Sequence, residues 1–261
     1  MNYDISVVMP ALNEEVNIQR AVEDVMDAFY RLKISGEIIV VDDGSIDRTL
    51  EIVNRIIKKN SFISIVYHDK PKGIGASFWA GVLKSQSDLV TLLPGDGEGN
   101  AYELLQYLPL MNHVDLIIPF AYNAREVRPF IRWAISKIFT IIINLSFGSS
   151  LTYTNGFVIY RKCVLKDITL KNGGFFYQAE LIIKTLKRRY LYAEVPLALH
   201  KRLEGDSTAL TIKSFFKVVG GYFSTIFAIY LFDTKYNPLS KDSVTFLRRK
   251  QLKKTTKDKR C

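Results

Sequence analysis

The stretch "EIIVVDDGSIDRTLEIVNRIIKK", residues 37–59, decides the fold class. The segment at 37–41 predicts a strand, because its apolar run at 38–41 is short and continuous, as in a strand that is buried on both faces. A polar turn follows, and then Leu50, Val53 and Ile57 recur at the spacing of one helix face. The stretch therefore predicts a β-strand, a turn and an α-helix in succession.

The same succession repeats along the chain. Further apolar runs that predict strands occur at residues 5–9, 63–67, 89–93 and 114–120. Strands that alternate with helices form a mostly parallel sheet with helices on both faces, a Rossmann-like α/β architecture. In such sheets, ligands bind beyond the carboxyl ends of the strands. The polar residues after each strand are therefore the candidates for a functional site.

Length and charge bound the class of protein. With 261 residues, 48% of them hydrophobic, the chain is long enough for one large α/β domain with an appendage. Of the net charge of +10, the segment from Lys235 to Cys261 carries +8, because ten Lys and Arg face only Asp242 and Asp258. Such a tail can bind RNA, an acidic partner or anionic lipid, or be a solvated, disordered end. The rest of the chain is nearly neutral, so a nucleic-acid partner is not expected.

The cysteines and the first residues indicate a compartment. Cys163 and Cys261 lie far apart in the sequence, and this spacing implies neither a disulfide nor a cysteine-type zinc framework. The start, "MNYDISVVMP", lacks the basic-then-apolar pattern of a signal peptide and is typical of a first strand. We therefore expect a reducing, cytosolic location.

A dinucleotide site is not indicated. The Rossmann fingerprint places glycines in the first strand–helix turn, but this turn contains Pro10, Asn13 and Glu14 and no glycine. The segment "GIGASF" (73–78) lacks the third glycine and follows the third predicted strand. We therefore set a dinucleotide-binding function aside.

Two carboxylates follow the fourth predicted strand, in "LLPGDGEGN" (92–100). Asp96 and Glu98 are two residues apart on a glycine-rich turn, so both can point at one site. Mg²⁺ and Mn²⁺ favour carboxylate and other oxygen ligands, and Asn100 can add a carbonyl oxygen. The turn therefore predicts a site for a divalent cation.

An ordered set of motifs gives the chain a resemblance to a known family. The segments "SVVMPALNEEVNI", "EIIVVDDGSIDRT", "KPKGIGASFWAG" and "PGDGE" resemble the nucleotide-sugar domain of family-2 inverting glycosyltransferases with the GT-A fold. The later segments "TNGFVIYRKCVL", "GGFFYQAELI" and "EVPLALHKRLEGDST" resemble the subgroup typified by dolichyl-phosphate mannose synthase and bacterial polyprenyl-phosphate sugar transferases. The resemblance covers roughly residues 4 to 210.

The resemblance implies roles at the donor site. It implies that the base and ribose contact Pro10, Asn13 and Glu14, and that Asp42 or Asp43 accepts from a ring N–H. Further substrate contacts are implied at Lys72, Arg202 and Ser207, with Arg202 on the diphosphate, a bidentate ligand that suits Arg. The acidic site would repel a diphosphate unless a Mg²⁺ or Mn²⁺ ion lies between them, which makes Asp96 catalytic as well as a metal ligand. The family's usual Asp-x-Asp is Asp-Gly-Glu in this sequence.

The acceptor is predicted from its chemistry. An ionised phosphate monoester has a second pKa of about 6, so a lipid-phosphate acceptor needs no strong general base, whereas a sugar hydroxyl does. Glu180 is the candidate carboxylate, either as base or as a group that orients the acceptor. Cations at Arg125, Arg128 and Arg132 precede the apolar run at 138–147. They can bind an acceptor phosphate, or flank a helix that lies on a membrane.

The domain prediction has three parts. We expect a GT-A glycosyltransferase domain over 1–212, a membrane-contacting helix over 213–234 and a basic tail over 235–261. The apolar run at 218–232 reaches only about 22 Å as a helix, short of the ~30 Å hydrocarbon core, so it is expected to lie on or dip into the membrane.

The predicted function is transfer of a sugar, with inversion, from a nucleotide donor to a polyprenyl or other lipid-linked phosphate. We place it at the cytoplasmic face of a membrane with an anionic surface. One alternative is a glycosyltransferase that uses a glycan hydroxyl in polysaccharide synthesis. Another is a nucleotide-sugar-binding module without turnover, because Glu98, Thr152 and Thr208 depart from the family pattern. Homo-oligomerisation is left open.

Overall fold

The computed structural model describes residues 3–166, 168–199, 212–232 and 238–258. In these residues the strands are β1 (Ile5–Ala11), β2 (Gly36–Asp42), β3 (Ile63–Tyr67), β4 (Leu89–Leu92), β5 (Leu116–Ala121), β6 (Ile159–Arg161) and β7 (Tyr192–Leu197). The α-helices are α1 (Ile18–Leu32), α2 (Thr49–Ile57), α3 (Ile74–Lys84), α4 (Ala101–Leu105), α5 (Ala124–Val127), α6 (Phe130–Phe147), α7 (Lys162–Leu165), α8 (Tyr177–Lys187), α9 (Ile212–Phe227) and α10 (Val244–Asp258). A 3₁₀ helix spans Leu108–Asn112, and a π-helical turn, Ala228–Phe232, continues α9.

The strands form one sheet in the order β3-β2-β1-β4-β6-β5-β7. Strands β1 to β4 pair in parallel, and so do β5 and β7. Only β6, among these strands, runs antiparallel, between β4 and β5. The predicted mostly parallel α/β sheet is confirmed, while β6 and β7 were not predicted from the sequence.

The stretch that decides the fold class has the predicted structure. Residues 38–41 of β2 are fully buried, because β2 is paired on both sides and covered on both faces. Val53 on α2 is also fully buried, while Ile57 is partly buried against the same core. The apolar side chains therefore face the sheet at the predicted helical spacing.

Two apolar layers enclose the sheet. On one face, Val22 of α1, Val53 of α2 and Leu104 of α4 share a core with β1 and β2. On the other face, Phe78 of α3 and Leu181 of α8 pack against the sheet. Helices therefore cover both faces, and the edge formed by the carboxyl ends of the parallel strands stays open for polar residues.

Helix α6 is only partly covered by protein. Ile143 and Phe147 pack against α8 and α9 in a third cluster, and the Phe147 ring stacks on Tyr230 with 6.1 Å between ring centroids. The rest of α6 carries large apolar side chains that are 42–81% exposed: Phe130, Ile131, Ile135, Ile138, Ile141, Ile142 and Leu145. In the described residues α6 is the one helix long and apolar enough to cross a membrane, with mean hydropathy 1.4 and 17% of it buried. It begins eight residues before the predicted run at 138–147.

Part of the predicted basic tail is an ordered helix. Asp115 is fully buried and accepts hydrogen bonds from the backbone N–H groups of Val244 (2.8 Å) and Thr245 (2.9 Å) at the start of α10. The Thr245 hydroxyl also donates to Asp115 and accepts from the backbone N–H of Leu191. Residues 244–258 are therefore not a solvated, disordered end but a helix fixed at the strand ends opposite the candidate site.

Candidate active site

Three polar turns meet at the carboxyl ends of neighbouring strands. Ala11 of β1 is paired with Asp42 of β2, and the backbone N–H of Gly95 donates to the carbonyl oxygen of Pro10 at 2.9 Å. The turns after β1, β2 and β4 therefore lie side by side, as the parallel topology predicted.

The first turn is tied to the second by side-chain contacts. Asn13 has a left-handed backbone (φ 57°), and its side-chain oxygen accepts from the backbone N–H of Ile46 at 2.9 Å. The backbone N–H of Glu14 donates to the Thr49 hydroxyl at 2.8 Å, and the Glu14 carboxylate accepts from Asn17. Asn13 and Glu14 thus border the turn after β2, where the base and ribose were predicted to bind.

Asp42 and Asp43 have different surroundings. Asp43 accepts from the backbone N–H groups of Lys72 (2.9 Å) and Gly73 (2.8 Å), and its Oδ1 is 2.7 Å from Nδ1 of His68. Asp42 is fully buried, with Oδ1 accepting from the backbone N–H of Ser45, while its Oδ2 has no hydrogen-bond partner in the described part of the chain. Buried carboxylate oxygens normally have partners, so Asp42 is the better candidate to accept from a ligand N–H, and Asp43 holds the loop that contains the exposed Lys72.

Asp96 and Glu98 occupy one tight turn after β4. Gly97 between them has φ +71°, a left-handed conformation that glycine adopts at no steric cost. The backbone N–H of Glu98 donates to Oδ1 of Asp96 at 3.0 Å, which keeps the two carboxylates on one turn. Asn100 instead starts α4: its side-chain oxygen accepts from the backbone N–H of Glu103 at 3.0 Å. This helix-capping role argues against Asn100 as a side-chain metal ligand.

Glu98 is paired with a residue that was predicted for the acceptor. Arg128 donates to Oε1 of Glu98 from Nε (3.0 Å) and Nη2 (2.5 Å), and from Nη1 to the Tyr153 hydroxyl (2.8 Å). The two charged side chains are 12% and 15% exposed. Burial alone would lower the pKa of Arg128, but Tyr153 and Glu98 together raise it, so the guanidinium stays charged. Tyr153 gave no signal in the sequence.

The other two predicted arginines lie nearby on the surface. Arg125 is exposed, with its guanidinium 5.9 Å from the centroid of the Trp133 ring. Arg132 is half-buried in the first turn of α6. The three arginines lie within eight residues of the chain, at the start of α6, and Arg128 contacts the predicted metal ligand Glu98.

The oxygen-rich turn fits a divalent cation that is shared with a phosphate ligand. In the described residues there is no group of three or more His, Cys, Asp or Glu side chains that could hold a metal by themselves. Mg²⁺ is commonly held by one or two carboxylates together with substrate phosphate oxygens and water. Asp96 and Glu98 would supply those two carboxylates, and one oxygen of Glu98 is paired with Arg128 in this structure.

Glu180 lies in a buried network. Its carboxylate accepts from the backbone N–H groups of Lys171 and Asn172 at 3.0 Å each, from the Asn172 side chain at 2.5 Å, and from the Lys184 ammonium. It is fully buried, so no oxygen faces an acceptor in this structure. These are the contacts of a residue that fixes a loop, and a role as general base stays a prediction without geometric support.

The loop that Glu180 fixes packs against the donor side of the site. The carbonyl oxygen of Gly173 accepts from the backbone N–H of Gly75 at 2.8 Å. A Cβ atom at Gly73, which has φ +99°, would lie 2.6 Å from that same oxygen. Only glycine allows this approach, and the predicted "KGIG" loop is thereby clamped between Asp43 and residue 173.

A small, mostly apolar pocket beside Arg128 was not predicted. It is lined by Tyr153, Asn155, Phe157 and Leu199, and the side-chain oxygen of Asn155 is buried without a hydrogen-bond partner in the described chain. Arg202 and Ser207, predicted for the diphosphate, lie outside the described residues.

Comparisons with known proteins agree with this architecture. Residues 6–169 match the profile of the family described as Glycosyl transferase family 2. A dolichol-phosphate mannosyltransferase of Pyrococcus furiosus is 26% identical over 211 residues, covering 78% of this chain and 58% of that protein. An uncharacterized glycosyltransferase of Haemophilus influenzae is 32% identical over 92 residues, covering 35% of this chain and 36% of that protein. The chain thus spans little more than half the length, or less, of these curated relatives.

Solved structures show the same fold. Glucosyl-3-phosphoglycerate synthase from Mycobacterium tuberculosis, in complex with Mg²⁺ and UDP, matches with a TM-score of 0.63 and 20% identity, covering 86% of this chain and 79% of that one. The same protein with Mn²⁺, UDP-glucose and phosphoglyceric acid matches with a TM-score of 0.65 and 20% identity, covering 86% and 80%. The GT-A fold predicted from the motifs is confirmed.

Proposed function

Because the chain belongs to glycosyl transferase family 2, we propose that it moves a sugar, with inversion, from a nucleotide-sugar donor to a lipid-linked phosphate at a membrane surface. The observation that carries this proposal is the position of Arg128. Its guanidinium lies at the acidic turn, while two residues later the chain enters α6, whose outer face is apolar and exposed. The donor site and a membrane-contacting surface thereby meet at one residue.

The donor part of the proposal rests on the strand ends. We assign the base N–H to Asp42, whose buried Oδ2 has no partner in the described chain, and the base and ribose surroundings to Pro10, Asn13 and Glu14. Asp96 and Glu98 would hold Mg²⁺ or Mn²⁺. The bound ion would neutralise the charge that develops on the leaving diphosphate. Lys72, Arg202 and Ser207 remain proposed contacts to the substrate.

The acceptor part rests on charge. Arg125, Arg128 and Arg132 offer cations for a phosphate monoester, which is already ionised near neutral pH. In the transfer, an acceptor phosphate oxygen bonds to the anomeric carbon as the bond from that carbon to the diphosphate oxygen breaks. The configuration is inverted, and no proton has to be removed from the acceptor. This chemistry agrees with a fully buried Glu180 that positions a loop rather than acting as a base.

Two relatives support a phosphate-bearing acceptor. The Pyrococcus furiosus relative is named for transfer of mannose to dolichol phosphate. The Mycobacterium tuberculosis enzyme was crystallised with phosphoglyceric acid. We propose a lipid-linked phosphate rather than a soluble one because of the exposed apolar face of α6. Helix α9, which packs against α6, adds Phe223 and Phe227, each 51% exposed.

The proposed location is the cytoplasmic face of a membrane. The apolar side chains of α6 would enter the lipid, and the exposed cations of α10 at 248–250, 253 and 254 would attract an anionic surface. Interfacial helices of this kind combine apolar burial with attraction to anionic lipid.

The proposal is tested by transfer in vesicles. The full chain is mixed with a panel of nucleotide sugars, Mn²⁺ and vesicles with or without a short-chain polyprenyl phosphate, and release of nucleoside diphosphate is measured. Release that requires both the lipid phosphate and Asp96 supports the proposal. Release that instead requires a glycan primer favours the hydroxyl-acceptor alternative, and binding of donor without any release favours the binding module.

A further inference from the structure

One ion pair joins residues that the proposed function gives to two different ligands. Glu98 is assigned to the cation of the donor, and Arg128 is assigned to the phosphate of the acceptor. In the structure, a single oxygen of Glu98 accepts hydrogen bonds from both Nε and Nη2 of Arg128, at 3.0 and 2.5 Å. The charge of each side chain is therefore already paired with that of the other, and a divalent cation at Glu98 and a phosphate at Arg128 would each compete with this ion pair.

The two cations cannot share this carboxylate oxygen. A Mg²⁺ ion binds a carboxylate oxygen at about 2.0–2.1 Å, inside the space where the two guanidinium hydrogens lie. The repulsion between a divalent cation and a guanidinium is also strong here, because the paired side chains are only 12% and 15% exposed and solvent screens them weakly. An ion that binds Oε1 of Glu98 would displace Arg128, and an ion that binds Oε2 would be repelled by the guanidinium held at the neighbouring oxygen.

Arg128 has a second anchor that would keep it at the site after displacement. Its Nη1 donates to the Tyr153 hydroxyl at 2.8 Å, and Tyr153 lines the same pocket as Asn155 and Leu199. The backbone of Arg128 is extended (φ −110°, ψ 148°) and leads through Pro129 into α6. A released guanidinium would therefore remain between the acidic turn and the apolar helix.

We propose that Arg128 is a positioning residue that competes with the divalent cation for Glu98, so that cation binding releases Arg128 toward the acceptor phosphate. This inference rests on the proposed function. By linkage, an anion that takes Arg128 must free Glu98 and so strengthen cation binding by the same factor. The ion pair thereby makes the cation-bound donor and the acceptor bind cooperatively. When neither ligand is bound, Arg128 neutralises the nearly buried carboxylate of Glu98.

The test measures Mn²⁺ binding to the full chain by electron paramagnetic resonance, without donor or acceptor. Close charge pairs couple by about 1.5 kcal/mol or more, so Arg128→Met should tighten Mn²⁺ binding at least about tenfold. Arg125→Met is the matched control: it removes the same charge from the neighbouring turn, but Arg125 has no described contact with Glu98, so its effect should stay within about twofold. Unchanged or weaker Mn²⁺ binding in Arg128→Met overturns the inference.

Two further variants show whether a change in Mn²⁺ binding comes from loss of the ion pair or from a folding defect. Arg128→Lys keeps the charge but cannot donate both hydrogen bonds to Glu98, and its Mn²⁺ affinity should lie between those of the parent chain and Arg128→Met. Tyr153→Phe removes only the second anchor, and should leave Mn²⁺ binding near that of the parent chain. All variants are compared by melting temperature, and added Mn²⁺ should raise that of Arg128→Met more than that of the parent.

A second measurement addresses the acceptor side. Without metal, Glu98→Gln should bind a short-chain prenyl phosphate more tightly than the parent chain, because Arg128 is released from its ion pair. Mn²⁺ should tighten that binding in the parent chain and do so much less in Arg128→Met. If Mn²⁺ tightened prenyl phosphate binding equally in the parent chain and in Arg128→Met, the inference would be contradicted.

The inference and the proposed function fail differently. If the parent chain binds Mn²⁺ and transfers sugar while Arg128→Met binds Mn²⁺ no more tightly, the competition is absent and the function stands. If neither protein binds Mn²⁺, with or without nucleoside diphosphates, the metal-dependent function itself is refuted.

Discussion

Asp115 and Thr245, 130 residues apart, are joined by two hydrogen bonds that fix the C-terminal helix to the sheet. The carboxylate of Asp115, fully buried before β5, satisfies backbone N–H groups that the first turn of α10 leaves without intrahelical partners. It is also 3.2 Å from Nε of Arg161. One buried acid thus connects the sheet, a side-chain cation and a helix that carries much of the excess positive charge.

The first prediction concerns this connection. Asp115→Ala should lower the free energy of unfolding by about 3–5 kcal/mol, because it leaves helix N–H groups and Arg161 without their partner. It should also raise the hydrogen exchange rates of residues 244–258. Urea unfolding and hydrogen exchange measure the two effects. Asp242→Ala, at an exposed position just before α10, is the control and should change stability by less than about 0.5 kcal/mol. Equal effects of the two substitutions would contradict the capping role.

The second prediction concerns the acidic turn. Asp96→Asn should nearly abolish sugar transfer and weaken metal-dependent donor binding, because a neutral amide attracts a divalent cation much less than a carboxylate. Glu98→Gln should be milder in both respects, since in the structure Glu98 is shared with Arg128. Steady-state kinetics with varied Mn²⁺ separate the two variants. Transfer that is unchanged in Asp96→Asn would refute the metal assignment.

The third prediction separates positioning from catalysis at Glu180. Glu180→Gln should leave measurable transfer, because a phosphate acceptor needs no general base, but it should lower the free energy of unfolding by about 1–3 kcal/mol through the loss of charged hydrogen bonds. The readouts are kcat and a denaturation curve. A several-thousand-fold fall in kcat with unchanged stability would favour a hydroxyl acceptor and a true base.

The fourth prediction concerns the acceptor phosphate. Arg132→Met should raise the acceptor KM and leave the donor KM nearly unchanged, because Arg132 is proposed to bind only the acceptor. Arg31→Met, at an exposed position in the last turn of α1 and thus at the end of that helix far from the site, is the control and should change neither constant. A rise in the donor KM alone would indicate that Arg132 contacts the donor and not the acceptor.

The fifth prediction concerns the membrane-contacting surface. Leu145→Ser on α6 should weaken binding to neutral vesicles by roughly tenfold, since burial of a leucine side chain is worth about 1.5–3 kcal/mol. Leu83→Ser on α3 is a matched control, because the two leucines are 81% and 76% exposed but only Leu145 belongs to the apolar face. Vesicle sedimentation measures both, and equal binding of the two variants would refute the assignment of that face.

A companion measurement tests the cations of α10. Replacing Lys250, Lys253 and Lys254 with Gln should weaken binding to anionic vesicles by about 3 kcal/mol at low salt, and by less as salt rises. Neutral vesicles should show little difference, because the apolar face of α6 is unchanged. If the substitutions weaken RNA binding and leave vesicle binding intact, the helix has a nucleic-acid partner.

Much of the fold could be predicted because it depends on local pattern. Runs such as that at 38–41 and the spacing of Val53 and Ile57 specify a strand and a helix within a few residues of their own positions. Strand β6 could not be predicted in the same way. It has only three residues, and it is a strand because its backbone pairs antiparallel with β4 on one side and β5 on the other.

The sequence by itself determined the order of strands β1 to β5 and the helices between the first four of them, the polar turns at the strand ends, and hence the region of the site. Tertiary structure alone decided which side chains in that region are paired with one another and which are available to a ligand. Among the described residues, it left Asp42 rather than Asp43 with an unpaired buried oxygen. It also enclosed Glu180, joined Glu98 to Arg128 across 30 residues and fixed α10 to Asp115. The physical reason is that secondary structure follows from near neighbours in the chain, whereas the partner of a charged group is set by distances in space that only the packed fold defines.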